Sequence, residues 1–474
     1  MAVSSYARPG TAGTARGYGP MLTVLLAAWF MAQFDFFVVN VAAPSLERGL
    51  GAGPAALELI VGGYAFAYAA GMVTGGRLGD LLGHRRMFVA GVVAFTAASL
   101  LCGIAATPGQ LVAARVLQGF AGAAMVPQVL AMITTTLPAD ARPRALGWYG
   151  VAGGLGSIAG QVLGGLLLDA DVLGLGWRAI FLVNVPVGLA VVPLALRLPA
   201  RGGRRTDART DPLGALGLAA ALGLVLVPLA LGRGAGWPVW TWCCLAAALP
   251  AGALTLYWQR RLAARGGLPV LDMSLFRERT YVAGIAAGVA FMAYFASFMF
   301  VLTLLLQGGR GLSALGAGLA FAPMGVLFGA TSLLGSRLVA RFGQRVVFAG
   351  CAVTLAGLAL LALIPSGAGL GWTIGALVFV GAGNGLTLPQ LIGVAMVRVP
   401  AGRAGAGAGV LTTTQQFAGA AGVAVLGTVF FALAAGHPGG SGYTAALPGV
   451  VLIHAVLLVA VMVLVAYIRR VSAR

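Results

Sequence analysis

Lysine is missing from this 474-residue chain; acidic residues number only 11 and histidines three. Only 9% of the residues are charged, too few to clothe a water-soluble domain of this size. The four cysteines, Cys102, Cys243, Cys244 and Cys351, all fall inside apolar runs without metal-ligand spacing. They read as small buried residues rather than as a disulfide framework or a zinc site. His84, His437 and His454 are scattered, so no metal site is expected. The phosphate-cradling pattern G-x-x-x-x-G-K-[ST] is absent, which excludes an ATP motor on this chain. No Ser/His/Asp grouping suggests a membrane hydrolase. The expectation is therefore a protein that is not an enzyme and carries no cofactor.

What the chain has instead is apolar length. It is 60% hydrophobic, with a mean hydropathy of +0.97. Fourteen runs approach the ~20 residues that cross ~30 Å of hydrocarbon as helix: 21–43, 59–76, 87–106, 109–132, 145–168, 179–196, 212–232, 238–258, 280–307, 311–335, 346–364, 371–396, 405–434 and 446–468. Helix is the default, since lipid offers open strand edges no partner. The first run is too long for a signal peptide and reads as a retained span. Residues 1–20 read as a flexible cytoplasmic terminus and 469–474 as a cytoplasmic tail.

Charge distribution tests this count. With both termini inside, 25 of the 30 basic residues fall in inner segments. Only Arg48, Arg178, Arg233 and Arg310 fall in outer loops, and Arg115 lies within a span. One missed helix would invert every later loop, so the bias supports the count and the orientation. The net charge of +19 is thereby explained as topology, and no nucleic-acid partner is needed. The abundance of arginine, alanine and glycine suggests a bacterial genome rich in G and C, so the lipid partner is expected to be the bacterial cytoplasmic (inner) membrane.

Internal repeats divide the chain. Met125-Val-Pro-Gln128 resembles Thr387-Leu-Pro-Gln390, an offset of 262, and Gly147, Gly160 and Gly165 fall on Gly409, Gly422 and Gly427 at the same offset. The loop Gly76-Arg-Leu-Gly-Asp80-Leu-Leu-Gly83-His-Arg85-Arg86 has a worn copy around Gly343, offset 260. This predicts an all-α membrane protein with a six-helix bundle at 21–198, linkers and two extra helices at 199–279, and a second six-helix bundle at 280–468. Parallel halves around a cavity are a transporter architecture.

Ionisable residues inside spans mark the chemistry. Asp35 lies within the first span and Arg115 within the fourth. A charge at bilayer depth costs about 2.5–3.5 kcal/mol on insertion scales, so it is rarely idle. Asp35 reads either as a structural hydrogen-bonded carboxylate or as a group exchanging protons for substrate. Arg115 cannot lose its charge and needs an acidic or carbonyl partner; a static ion pair and an electrostatic gate both fit. In the fifth span, Gly156, Gly160 and Gly164, with Gln161 and Gly165 beside them, form a smooth face, read equally as plain packing or as a hinge or seal between halves. Substrate-cavity candidates are Gln33, Phe34, Asn40, Tyr64, Tyr68, Gln118, Asn384, Gln390, Gln415 and Gln416. Asn184 and Trp177-Arg178, at the start of the sixth span, read as interfacial anchors.

Together these residues resemble a known family. Gly76-x-x-x-Asp80-x-x-Gly83-His-Arg85-Arg86 and Arg115-x-x-Gln118-Gly119 look like the loop 2–3 and span-4 signatures of the major facilitator superfamily. Asp35-x-x-x-x-Asn40, the run from Trp177 to Gly188 and Asp211-Pro-Leu-Gly resemble its fourteen-span drug:H⁺ antiporters. The resemblance implies proton-driven export of a small molecule by alternating access, acting as a monomer. It implies that Asp80 meets a helix end of the other half and steadies the outward-open state, and ties Asp35 and Arg115 to proton and substrate handling. The exporters' usual Gly-Pro is Gly160-Gln161 here, which keeps an uptake symporter as the alternative; a polytopic protein without transport is the alternative of another class. Span 10 carries no acid, which favours monovalent cationic or neutral lipophilic substrates.

Overall fold

The computed structural model describes residues 18–138, 140–198, 211–232, 235–267, 269–364, 369–396, 398–400, 403–435 and 441–472. Residues 1–17 of the amino-terminal segment read as flexible and most of the first linker lie outside them; Gly19 and Pro20 already belong to the first helix. The described residues form helices and no strand. The first half holds α1 (Gly19–Leu50), α2 (Pro54–Leu82), α3 (His84–Gly103), α4 (Pro108–Thr136), α5 (Arg142–Asp169), α6 (Ala179–Leu182) and α7 (Asn184–Leu196). Then come α8 (Pro212–Leu231) and α9 (Val239–Ala264). The second half holds α10 (Arg279–Leu304), α11 (Ala314–Phe342), α12 (Arg345–Ala362), α13 (Leu370–Met396), α14 (Ala404–Ala434) and α15 (Ser441–Ser472).

Thirteen helical segments among the described residues are long and apolar enough to cross a membrane. The fourteenth expected span, α8, contributes a shorter apolar helix, Leu213–Leu229. The sixth span comprises α6 and α7, with Val183 between them in helical conformation (φ −60, ψ −26). Pro186, four residues after Leu182, cannot donate to that carbonyl, so one intrahelical bond is missing there. The tail read at 469–474 is helical at least to Ser472, because α15 continues through Arg469 and Arg470.

The turn between α2 and α3 is a single residue, Gly83, with φ +98, a conformation that favours glycine. The extra helices are tied at their arginine-rich end. Asp211 caps α8 by accepting from Gly214 N at 2.8 Å. The same carboxylate accepts from Trp258 Nε1 and Gln259 Nε2 of α9 at 2.9 and 2.8 Å.

Two seams join the halves, α5 against α11 and α2 against α14. At the arginine-rich end one apolar cluster draws on both halves, including Leu25, Ile133 and Ala145 with Leu271, Ile392 and Met396. Toward the opposite end the cores separate. One cluster, around Val38, Leu46 and Phe181, belongs to the first half alone. The other belongs to the second half, joined from α5 by Ile158 and the partly buried Val162.

Candidate functional site

Asp35 sits midway along α1 and is fully buried, as is Arg115 of α4. Arg115 Nη1 lies 2.5 Å from Asp35 Oδ2 and donates to Gln118 Oε1 at 2.7 Å, while its Nε donates to the Ile60 carbonyl at 3.2 Å. Gln118 Nε2 donates to Asp35 Oδ1 at 2.8 Å and to Ser99 Oγ at 2.7 Å. Asn184 Nδ2 donates to the same Asp35 oxygen at 2.8 Å. The guanidinium also lies over the Tyr64 ring, 4.1 Å from its centroid. Five helices of the first half thus converge on one ion pair. A buried guanidinium demands this, since an unmatched buried charge is strongly destabilising.

Asn184 is therefore not an interfacial anchor. Asn184 opens α7, is buried and carries its amide to Asp35. Sequence reasoning also missed Ser99. One signal was present for Asn184: the motif from Trp177 that carried the family resemblance contains it.

The loop acid reaches the other half. Asp80 Oδ2 accepts from Ala406 N of α14 at 2.9 Å, with Arg77 and His84 at 3.8 and 3.6 Å. His84 Nδ1 meets Gln128 Oε1 at 2.9 Å, and Gln128 Nε2 donates to Gly75 O at 2.8 Å. Gly79 is required beside this knot, since a Cβ there would lie 2.8 Å from His84 Nδ1. Arg85 Nη1 donates to Leu198 O at 2.6 Å, tying α3 to the end of α7. Gly76 is buried and Arg86 exposed.

The fifth-span glycines divide by face. Cβ atoms on Gly156 and Gly160 would lie 2.8 Å from the Phe30 and Phe34 carbonyls, and one on Gly164 would lie 2.6 Å from Val38 Cγ2. That face packs on α1 within the first half, so the reading of these glycines as a seal between halves is corrected. Another face of the same helix packs on the second half: Gly147 against Ser336, Gly150 against Ser332 and Pro389, and Gly154 against the Phe328 ring. Gln161 and Gly165 are buried, and the Gln161 carbonyl approaches Gly318 of α11.

The cavity candidates are dispersed. Gln118 belongs to the ion-pair network. Phe34 is buried and Gln33 half-buried on α1; the Asn40 side chain lies outside the described part. Asn384 is committed to Tyr294 Oη and Thr354 Oγ1 at 3.2 and 3.3 Å. Gln390 Nε2 and Gln415 Nε2 are buried without a partner, as are the hydroxyls of Tyr64 and Tyr68. Gln416 is half-buried on α14. Beside the ion pair, an apolar cavity of about 190 Å³ between α1, α5 and α7 has Asn184 as its polar lining residue.

Residues 25–423 match the family model described as Major Facilitator Superfamily. The chain belongs to the Major Facilitator Superfamily. Among relatives in this superfamily, a probable actinorhodin transporter of Streptomyces coelicolor is 38% identical, over 90% of this chain and 75% of its own. The multidrug resistance protein Stp of Mycobacterium tuberculosis is 32% identical, over 85% and 74%. The cephamycin export protein CmcT of Amycolatopsis lactamdurans is 34% identical, over 88% and 86%. Among solved structures, the human organic anion transporter MFSD10 superposes with a TM-score of 0.65 at 17% identity, over 94% of this chain and 99% of its own. The Escherichia coli fucose:proton symporter FucP gives 0.64 at 14%, over 96% and 99%. These two establish the fold. The chain is a multi-pass membrane protein of the superfamily.

Proposed function

We propose that this chain is a fourteen-span drug:H⁺ antiporter that exports lipophilic cationic or neutral antibiotics from the bacterial cytoplasm as a monomer, with both termini cytoplasmic. The observation that carries the reading is the buried Asp35–Arg115 pair, 2.5 Å apart and closed to solvent. As it stands, the pair is electrically neutral. A proton on Asp35 removes the charge that balances Arg115, and an uncompensated buried charge costs about 3–5 kcal/mol. Protonation therefore forces the network of Gln118, Ser99 and Asn184 to rearrange, which is how a proton does mechanical work. Arg115 acts as the electrostatic gate: it holds the deprotonated carboxylate until a proton or cargo takes its place.

The end-to-end difference in packing supports alternating access. The halves share one core at the arginine-rich end and, apart from the α5–α11 seam, hold separate cores toward the other, with Asp80 latched to α14. With arginines inside, this is an outward-facing form. Relatives named as a cephamycin export protein and a drug efflux pump favour export over uptake. Everted membrane vesicles test the reading. An exporter accumulates ethidium when the lumen is acidified; uptake that needs the opposite gradient, or no gradient, refutes it.

A further inference from the structure

Tyr64 and Tyr68 stand one turn apart on α2, with ring centroids 5.5 Å apart and an interplanar angle of 17°. Both are essentially fully buried, and neither hydroxyl has a hydrogen-bond partner. A buried hydroxyl left unpaired is destabilising, and each one calls for a reason. The fold supplies none. Phenylalanine would fill the same space and keep every ring contact: the Arg115 guanidinium on the face of Tyr64, the edge of Phe36 at 5.8 Å, and Gly122, where a Cβ would lie 3.0 Å from Tyr68 Cδ2. The hydroxyls are surplus to packing.

Their surroundings indicate what they wait for. Gln416 of α14 stands beside the Tyr68 hydroxyl, short of hydrogen-bond geometry. The preceding residue, Gln415, carries another buried orphan, its Nε2. Tyr149 of α5 also neighbours Tyr68 and is stacked on Trp29 at 4.8 Å and 6°. Two aromatic ledges therefore meet at the boundary between halves, one of them edged with unpaired hydroxyls. Flat rings stack on such ledges. Arg115 on the face of Tyr64 draws electron density from that ring and favours donation by its hydroxyl over acceptance.

We propose that the Tyr64 and Tyr68 hydroxyls are paired donors for a planar aromatic substrate bearing a carbonyl oxygen, which stacks between α2, α5 and α14 once the halves part. This rests on the export reading and names its substrate class. It also gives cargo a route to the coupling pair, because Tyr64 lies directly under Arg115.

A matched probe pair tests it: 9-fluorenone and fluorene, alike in shape and differing in one carbonyl. The full chain in lipid nanodiscs should bind fluorenone at least about tenfold more tightly by equilibrium dialysis. The double variant Tyr64→Phe/Tyr68→Phe should bind the two within about twofold, with a melting temperature equal to or above the parent's. Equal binding by the parent, or a preference that survives the double variant, overturns the assignment. Parent vesicles that fail to move ethidium against a proton gradient overturn the export reading alone, because the binding preference is read without transport.

Discussion

Replacing Asp80 by asparagine isolates the latch between the halves. The carboxylate accepts from Ala406 N at 2.9 Å, in the first turn of α14, where backbone donors have no partner within the helix. A hydrogen bond to a charged group contributes about 1.5–3 kcal/mol, against about 0.5–1.5 for a neutral one. The helix dipole adds about 0.3–1 kcal/mol to the charged form alone. Asparagine keeps an oxygen in place and loses the difference, about 1–2 kcal/mol. At tenfold per 1.4 kcal/mol, the latched population should fall about 5- to 30-fold relative to the unlatched one. Spin labels at the exposed Arg144 of α5 and Ala340 of α11, both at the arginine-rich end, report this as growth of a longer-distance population in double electron–electron resonance. An unchanged distance distribution in Asp80→Asn, or one shifted toward shorter distances, would refute the latch.

Asp35→Asn should abolish proton-coupled export while leaving the chain in the membrane; full retained transport in everted vesicles removes Asp35 from the mechanism. Arg115→Met leaves a carboxylate buried beside Gln118 and Asn184, so it should lower stability by about 3–5 kcal/mol. Asp35→Asn/Arg115→Met should recover most of that loss, as read by thermal melting in detergent. Gly154→Ala drives a methyl into the Phe328 ring of α11 and should cost about 1–3 kcal/mol together with transport, measured by melting and vesicle uptake. At the surface, Arg398 and then Thr280 hydrogen-bond the Glu278 carboxyl and hold it below its ordinary 4.5. A lowered value stabilises above 4.5 and is lost as pH falls through it. The melting difference between parent and Glu278→Gln, small for an exposed pair, should therefore persist at pH 7 and vanish in acid.

The fold was legible because lipid imposes strong rules. Apolar length predicted the helices; the count of fourteen from arginine placement meets thirteen long spans and one shorter helix among the described residues. The loop from Gly76 was readable as a turn because Gly83 must take a positive φ. The site was legible to the extent that a charge in a span needs a partner: Arg115 called for an acid or a carbonyl, and it has both, Asp35 and the Ile60 carbonyl. The neutral groups that complete the network were readable only in part, Gln118 and Asn184 through the motifs that contain them. Ser99 looks like an ordinary residue of an apolar helix, and only the packing of α3 on α4 brings its hydroxyl to the Gln118 amide. The fifth-span glycines show a related limit. Glycine is so frequent in α5 that two faces read alike, and only packing assigns Gly156, Gly160 and Gly164 to α1 and Gly147, Gly150 and Gly154 to the second half.

The repeat offsets sharpen the asymmetry between the halves. Offsets of 260 and 262 carry Asp35 onto Phe295, Arg115 onto Leu377 and Gln118 onto Val380, and all three lie in the apolar core of the second half. The paired charge is therefore confined to one half, and any coupling must cross a seam. Helix α2 is built to carry it. Its Ile60 carbonyl accepts from Arg115, and Tyr64 lies under the guanidinium. Further along, its Ala69 carbonyl accepts from Thr413 of α14 at 3.3 Å, and Asp80 holds the start of that helix. From residue 60 to residue 80 this is one continuous rod of about 30 Å at 1.5 Å per residue. On the proposed antiport mechanism, a guanidinium released by protonation of Asp35 would give up its hold on the far end of the rod whose near end is the latch. That reading makes the ion pair and the loop acid, about 30 Å apart along α2, parts of one device.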